Sequence, residues 1–146
     1  SFIGIDFSLE SVKKANTMKK KLNLNNVDFT IGDMNTINYP EKYFDCIVDT
    51  QSIYYSKDYL KTFNHLKKNL SDNGKLITVP GLGEKELIKQ YIDQIQTSGL
   101  LVHDFRFIKT INLGETEYLP TITCGLKKPK EKVDTNHIIN RLFDSF

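Results

Sequence analysis

Short apolar runs alternate with amphipathic segments along the first 80 residues, and this alternation constrains the fold more than any other feature. The apolar runs are FIGID, VDFTI, FDCIVDT and KLITV, beginning at Phe2, Val27, Phe44 and Lys75. Between them, apolar residues recur at the spacing of one helix face in two segments: Val12, Ala15, Met18 and Leu22, then Leu60, Phe63, Leu66 and Leu70. Strands that alternate with helices predict an α/β fold with a doubly wound parallel sheet.

The second half of the chain predicts a helix, a hairpin and a terminal helix. Helical spacing runs from Glu84 to Ser98, and Gly99 follows at a position that suits a helix C-terminus. LVHDFRFIKTI and EYLPTITCGLKK are joined by the short NLGET, which predicts a C-terminal antiparallel hairpin. Pro120 within the second of these runs indicates a strand edge or a bulge.

The tail after KKPKEK has apolar residues at helical spacing, namely Ile138, Ile139, Leu142, Phe143 and Phe146. This spacing predicts an amphipathic helix that docks on the domain or, alternatively, forms an interface with a second copy or a partner chain. We therefore assign residues 1–129 to the main domain and residues 130–146 to a linker and this helix.

Composition and charge narrow the possible functions. A chain of 146 residues, 39% hydrophobic and 26% charged, suits one globular domain with a sizeable core. A net charge of +2 is too small to favour a nucleic-acid partner. The sequence has neither a signal peptide nor an apolar run of membrane-spanning length. We expect a cytoplasmic protein that does not bind membranes.

The cysteines and histidines indicate no metal site. Cys46 and Cys124 fall inside apolar runs and lack the close pairing of a metal or redox motif. His65, His103 and His137 are scattered, without the spacing of a catalytic triad or a metalloprotease motif. Neither metal chemistry nor acyl transfer is expected.

Acidic residues follow three of the predicted strands where they end. Asp6 and Asp49 close their apolar runs, and Asp33 follows Gly32 after the second run. The carboxyl ends of parallel strands are where open α/β sheets bind ligands, and a carboxylate there can accept hydrogen bonds from a ribose.

A local structural role is the alternative for Asp6 and Asp33. Asp6 can begin a turn before Ser8, which is predicted to cap the first helix, with Phe7 and Val12 as a hydrophobic staple. The Gly32–Asp33 pair is likewise common in turns. Both alternatives remain open at the level of the sequence.

Five motifs, in this order, resemble those of the class I S-adenosylmethionine-dependent methyltransferases. They are GIDFS, GDMNTINYP, YFDCIVDTQSIYY, LKKNLSDNGKLI and YLPTITCGLKKP, and they cover residues 2–129. The resemblance implies a Rossmann-like methyltransferase sheet closed by the hairpin. It also implies S-adenosylmethionine as the cofactor and methyl transfer to a small-molecule acceptor as the reaction.

One motif of that family has no counterpart in the sequence. Family members begin with a central strand that ends in a glycine-rich loop, E/D-x-G-x-G-x-G, and the sequence begins without it. In the family's sheet order this first strand lies between the strands that end at Asp6 and Asp49. We therefore expect the central strand to be missing from this chain and those two strands to have unpaired edges. Residues 1–146 are then not expected to form the whole functional domain unaided.

The resemblance implies a role for each residue near the first two strand ends. Asp6 would accept both ribose hydroxyls, and Phe7 would lie beside the adenine or the ribose. Asp33 would accept from the adenine amino group, the Met34 backbone would contact the ring edge, and Gly32 would permit the turn.

The residues at the end of the third apolar run and directly after it would face the methyl group and the acceptor. These are Asp49, Thr50 and Gln51, so Asp49 would contribute to the cofactor site as well as to catalysis. In-line methyl transfer needs mainly proximity and orientation. A base helps when the nucleophile is a hydroxyl or a protonated amine, and Asp49, Tyr54 and Tyr55 are the candidates. Ordinary aromatic packing is the alternative for the two tyrosines.

Methylation of a protein or an RNA remains an alternative to small-molecule methylation, although no basic, aromatic-interleaved patch supports RNA. Two functions of other classes also remain open. A non-catalytic methyltransferase-like subunit or scaffold would use the fold and the C-terminal helix to bind a partner. A nicotinamide oxidoreductase would also place an acid on a ribose, although the hairpin and GDMNTINYP argue against it.

Overall fold

The structure, a computed structural model, describes residues 1–112, 115–128 and 133–143. The chain divides into two units, Ser1–Asn38 and Tyr39–Phe146. The predicted linker at 130–132, the hairpin tip at residues 113–114 and Phe146 lie outside the described residues.

The first unit pairs two parallel strands connected by a helix. In chain order it contains β1 (Phe2–Asp6), α1 (Leu9–Lys21) and β2 (Val27–Ile31). The register of β1 on β2 runs from Phe2↔Val27 to Asp6↔Ile31. The predicted strand-helix-strand order is confirmed.

The start of α1 differs from the sequence-based prediction in one respect. As predicted, Ser8 caps the helix, because its hydroxyl accepts the Ser11 N–H at 3.3 Å. The hydrophobic staple is wrong, since Val12 is buried whereas Phe7 is 80% exposed. The Asp6 carboxylate accepts the Ser8 N–H at 2.7 Å and closes a turn that leaves Phe7 in solvent.

The second unit contains the remaining strands and helices. In chain order they are β3 (Phe44–Thr50), a 3-10 helix (Ile53–Tyr55), α2 (Tyr59–Asn69), β4 (Leu70–Val79), α3 (Lys85–Thr97), β5 (Leu101–Asn112), β6 (Glu115–Gly125) and α4 (Thr135–Phe143). The strands form one sheet in the order β3-β4-β6-β5. β3 and β4 are parallel, and β6 is antiparallel to both β4 and β5. The α/β class and the C-terminal antiparallel hairpin are thus confirmed.

The core of the second unit lies between its sheet and its helices. The residues buried there include Phe63, Leu76, Ile88, Ile95 and Ile122. α4 packs against α3 and β5, and its Ile139 is 1% exposed. No helix in the described ranges has both the length and the apolar character needed to cross a membrane.

β3 is less buried than its apolar sequence predicts. Among the described strands it pairs only with β4, and Val48 is 57% exposed. An apolar run such as FDCIVDT favours a strand that is buried on both faces. This expectation is wrong for β3, because burial depends on a neighbour at the second edge. β1 likewise pairs only with β2 among the described strands. Among these strands, β1 and β3 therefore each have one unpaired edge, as expected for the strands that end at Asp6 and Asp49. The missing central strand itself stays a prediction.

β4 begins earlier than predicted. The apolar run KLITV predicted a strand from Lys75, but β4 already starts at Leu70. The pairing passes from Phe44↔Leu70 to Cys46↔Lys75, so the extra residues form an irregularity within the strand. Gly74 allows it, because a Cβ there would lie 2.9 Å from the Phe44 carbonyl oxygen.

Pro120 occupies a strand edge, as predicted. The β4–β6 register ends at Thr78↔Ile122, and Pro120 pairs with Phe107 of β5 beyond that point. Among the described strands, β6 therefore pairs only with β5 at Pro120, the residue that lacks a backbone N–H donor.

Candidate functional site

The carboxyl ends of β1 and β2 lie side by side in the first unit. The Gly32 N–H donates to the Asp6 carbonyl oxygen at 3.0 Å, which continues the ladder beyond β2. A Cβ on Gly32 would lie 2.6 Å from the Ile37 side chain, so a glycine fits this close approach. Asp33 follows directly. The structure thus brings three of the predicted cofactor residues to one sheet edge.

Both carboxylates at this edge take part in local turns. Asp6 Oδ1 accepts the Ser8 N–H, and Asp33 Oδ1 accepts the Asn35 N–H at 2.8 Å and the Asn35 Nδ2 at 2.9 Å. Both side chains are exposed. Because a carboxylate accepts through two oxygens, these bonds fix its orientation and are compatible with ligand binding through Oδ2.

A cleft of about 290 Å³ lies next to this edge within the first unit. Asp6 lines it together with apolar side chains, including Ile5, Val12 and Phe29. The exposed Phe7 follows Asp6, and Met34 is half-buried after Asp33. The edge therefore combines exposed carboxylates with exposed apolar surface.

Asp49 has a different environment, within the second unit. Its side chain is 6% exposed, and its Oδ1 accepts the N–H groups of Ser52 at 2.9 Å and Ile53 at 3.0 Å. Its Oδ2 accepts the Thr78 hydroxyl at 2.8 Å. The Thr78 and Tyr91 hydroxyls are 2.6 Å apart. Hydrogen bonds thus connect α3, β4 and the turn after β3.

Burial determines the protonation of this network. Burial raises the pKa of Asp49, while the hydrogen bonds from Thr78 and from the backbone of Ile53 and Ser52 oppose that shift. Burial also raises the pKa of Tyr91 above its ordinary value. The Tyr91 phenol therefore keeps its proton and donates to Thr78, which in turn donates to Asp49.

Thr78 and Tyr91 were not identified from the sequence. Thr78 lies in KLITV, where a β-branched residue is typical of a strand, and Tyr91 lies on the apolar stripe of α3. The only signal was a hydroxyl-bearing residue in each of two apolar segments. The bond from Thr78 to Asp49 depends on the β3–β4 register, in which the two residues lie opposite each other, and the contact with Tyr91 depends on where α3 lies.

Gln51 has a strained backbone in the turn after β3. Its φ is 63°, in the left-handed region that non-glycine residues rarely adopt. Its N–H donates to the Val79 carbonyl oxygen at 2.9 Å, and Asp49 holds the following two residues. The Gln51 side chain lies against Gly81, where a Cβ would be 3.6 Å from its Cγ. The network therefore fixes the backbone from which a polar side chain extends.

This turn forms one wall of a cleft of about 420 Å³ in the second unit. The lining residues are Gln51, Tyr54, Tyr55, Gly81, Leu82, Gly83, Tyr118 and Leu119. The Tyr54 and Tyr55 rings meet edge to face with centroids 5.4 Å apart. Tyr55 is 76% exposed, so its ring is a cleft wall rather than part of the core. Tyr118, on β6, was not anticipated from the sequence.

The described residues contain no group of three or more His, Cys, Asp and Glu side chains that could hold a metal ion. The predicted residues instead divide between two places. Asp6, Phe7, Gly32, Asp33 and Met34 belong to the first unit, and the remaining three belong to the second: Asp49, Tyr54 and Tyr55.

Comparison with known proteins supplies the family. A family model described as a methyltransferase domain matches residues 1–137. No curated protein sequence matches the chain at a significant level. Solved structures do match, at identities so low that they show the fold alone.

Three of these structures illustrate the range. A methyltransferase in complex with the Haloferax volcanii Trm112 methyltransferase activator is 14% identical, with a TM-score of 0.72 over 85% of this chain and 71% of that chain. The [4+2]-cyclase SpnF is 15% identical, with a TM-score of 0.71 over 87% and 65% of the two chains. Geranyl diphosphate methyltransferase in complex with SAM is 12% identical, with a TM-score of 0.69 over 86% and 68%.

Proposed function

The chain belongs to the class I S-adenosylmethionine-dependent methyltransferases, and from that premise we propose that it transfers a methyl group to a small-molecule acceptor. The family match confirms the predicted family and its cofactor, S-adenosylmethionine. The observation that carries the proposal is the sheet edge of the first unit, where Asp6, Gly32 and Asp33 meet.

The residues of that edge fit the polar groups of the cofactor. A ribose diol needs an acceptor, and Asp6 offers an exposed carboxylate whose orientation Ser8 fixes. Asp33 offers a second carboxylate for the adenine amino group, and Phe7 offers an exposed ring for the adenine face. Met34 would border the ring through its backbone. When bound, S-adenosylmethionine supplies a methyl group on a sulfonium centre.

The second unit supplies the acceptor side in this proposal. Asp49 acts by positioning, because both of its oxygens are engaged by the protein's own donors. It holds the turn that carries Gln51 and the two exposed tyrosines. Methyl transfer depends mainly on orientation, which a fixed turn provides. The Tyr54 and Tyr55 hydroxyls are the candidates to exchange a proton with the acceptor.

The domain boundary, the cellular location and the partners of the chain are also proposals. The family match extends to residue 137, into α4, so a domain boundary at residue 129 stays a prediction. We also propose that the protein is cytoplasmic and does not bind membranes. Its acceptor is a small molecule and not a nucleic acid.

A partner-binding subunit is the second candidate function. β1 and β3 each pair with one strand among the described residues, and such edges can accept a further strand. The similar methyltransferase that is complexed with its activator is one precedent for assembly. The cyclase with the same fold is a reminder that the fold does not determine the reaction.

Calorimetric titration with S-adenosylhomocysteine tests the first candidate. We would compare the wild-type chain with Asp6→Asn, which should bind about 10- to 100-fold more weakly because a hydrogen bond to a charged group is lost. Glu10→Gln is the matched control, since Glu10 is an exposed acid of the same unit that pairs with Lys14 at 3.0 Å.

The same titration would be run on the protein with whatever residues its gene encodes before Ser1. Binding that Asp6→Asn leaves unchanged would contradict the ribose role. If S-adenosylhomocysteine binds neither the chain nor the protein extended before Ser1, the partner-binding subunit is favoured.

A further inference from the structure

We propose that the cleft of the second unit takes a flat, uncharged aromatic molecule as the methyl acceptor. The proposal rests on the proposed function, because it names the acceptor class for that same site. It is argued from the charge of the lining, from the exposed rings and from the fixed turn.

The described lining contains no Asp, Glu, Lys, Arg or His side chain. An acceptor that carried a carboxylate or a phosphate would lose water on entering and would find no cation in the lining, which is costly. An ammonium acceptor would find no carboxylate, because Asp49 lies buried behind the turn with its oxygens bonded to Thr78, Ser52 and Ile53. An uncharged acceptor avoids both costs.

The rings in the cleft favour a planar group over a saturated one. Tyr54, Tyr55 and Tyr118 all line the cleft, and each is exposed. Tyr54 and Tyr55 meet edge to face, at 78° between their planes, so rings whose faces differ in orientation line the cleft. A further aromatic ring gains from offset or edge-on contacts with such faces. A saturated ring of equal size would gain from burial alone.

The polar groups of the cleft suit an acceptor with a few hydrogen-bonding atoms. Gln51 presents an amide that can both donate and accept, and the tyrosine hydroxyls can do the same. The Asp49 network holds the backbone of the turn that carries Gln51 in a strained conformation, so the point from which its side chain extends is fixed before binding. A volume of about 420 Å³ lies within the usual range of small-molecule sites, about 300–1,000 Å³.

Gly83 provides a way to fill the cleft without disturbing the fold. It belongs to the lining, and a Cβ built on it meets no atom within 4 Å. A larger side chain at this position therefore extends into open space. Gly83→Val should block a ligand while leaving the surrounding packing unchanged.

The test uses four probes that differ in one property each: 2-naphthol, its saturated analogue decahydro-2-naphthol, anionic 2-naphthoate and cationic 2-naphthylmethylammonium. Each is titrated into the isotope-labelled chain and followed by the backbone amide signals of Gln51 and Tyr55. We expect 2-naphthol to bind about five- to tenfold more tightly than the other three, from aromatic contact and the absence of charge. Tyr55→Leu and Gly83→Val should each weaken it by about fivefold or more.

Tyr43→Leu is the matched control, because Tyr43 is an exposed tyrosine of the same unit outside the cleft lining. It should leave the binding of 2-naphthol unchanged. Equal affinity for the saturated probe, or tighter binding of either ion, would overturn the proposal. Binding that neither Tyr55→Leu nor Gly83→Val weakens would also overturn it.

A separate titration with S-adenosylhomocysteine distinguishes this proposal from the proposed function. If the cofactor product binds and 2-naphthol does not, the acceptor class is wrong and methyl transfer stands. If 2-naphthol binds and the cofactor product binds neither the chain nor the protein extended before Ser1, the cleft recognises aromatic ligands and methyl transfer falls.

Discussion

The substitution Thr78→Val tests whether the buried network positions the turn after β3. Valine matches threonine in shape, so the change opens no cavity and removes only a hydroxyl. Asp49 then loses the donor to its Oδ2, and Tyr91 loses the acceptor for its hydroxyl. Each buried polar group left without its partner costs about 1–3 kcal/mol, with more for a charged group. We expect a loss of roughly 2–4 kcal/mol in the free energy of unfolding.

Urea denaturation at neutral pH measures this loss, and an unchanged m-value would show that the unfolding transition itself is the same. Thr121→Val is the matched control on β6. The Thr121 Oγ1 is buried and has no hydrogen-bond partner within the part of the chain that the structure describes, so its removal should be neutral or stabilising.

A double-mutant cycle with Tyr91→Phe identifies the network as the cause. Alone, Tyr91→Phe removes a donor from Thr78 and should destabilise the protein. In the Thr78→Val background the tyrosine hydroxyl is already without its partner, so the same change should cost less or even stabilise. We expect a coupling energy of about 1–2 kcal/mol. Additive effects, or a Thr78→Val variant as stable as Thr121→Val, would refute the argument.

Three further predictions concern other parts of the molecule. The folded-state pKa of Asp49 is raised above its ordinary value of 3.8. The free energy of unfolding should therefore fall as the pH rises from the ordinary pKa to the raised pKa. Asp49→Asn should remove this pH dependence, which urea denaturation at a series of pH values measures. Gly4→Ala should cost about 1–3 kcal/mol of unfolding free energy, since its Cβ would lie 2.4 Å from the Phe29 ring; an unaffected midpoint would contradict this. Burial raises the pKa of Cys124 to about 12, whereas Cys46 is exposed, so a thiol reagent should modify Cys46 alone in the native protein and both thiols in urea.

The strands and helices could be predicted from the sequence where periodicity and capping act locally. β1 and β3 have the predicted ends, Ser8 caps α1 as predicted, and Asp58 caps α2 in the same way. Gly99 follows α3 with a φ of 83°, as a C-terminal glycine should. These features depend on a few neighbouring residues, so the sequence pattern determines them.

Features that depend on distant partners could not be predicted in the same way. The exposure of Val48 depends on which strand lies beside β3, and the apolar run cannot reveal that. The left-handed conformation of Gln51 depends in part on Val79 of the neighbouring strand, whose carbonyl oxygen accepts the Gln51 N–H. Tyr118 reaches the cleft because β6 pairs with β4, the strand that ends just before Gly81. In each case the determining contact is long-range.

The three acids at strand ends show why one sequence pattern can have two outcomes. Asp6 and Asp33 bond to backbone N–H groups two residues ahead, and their side chains stay exposed and available to a ligand. Asp49 lies opposite Thr78, whose hydroxyl draws the carboxylate into the interior. A buried carboxylate with both oxygens bonded is a poor proton acceptor for a substrate, but it fixes the turn it bonds to. Because methyl transfer requires orientation more than it requires a base, Asp49 can be essential to the reaction without touching the acceptor.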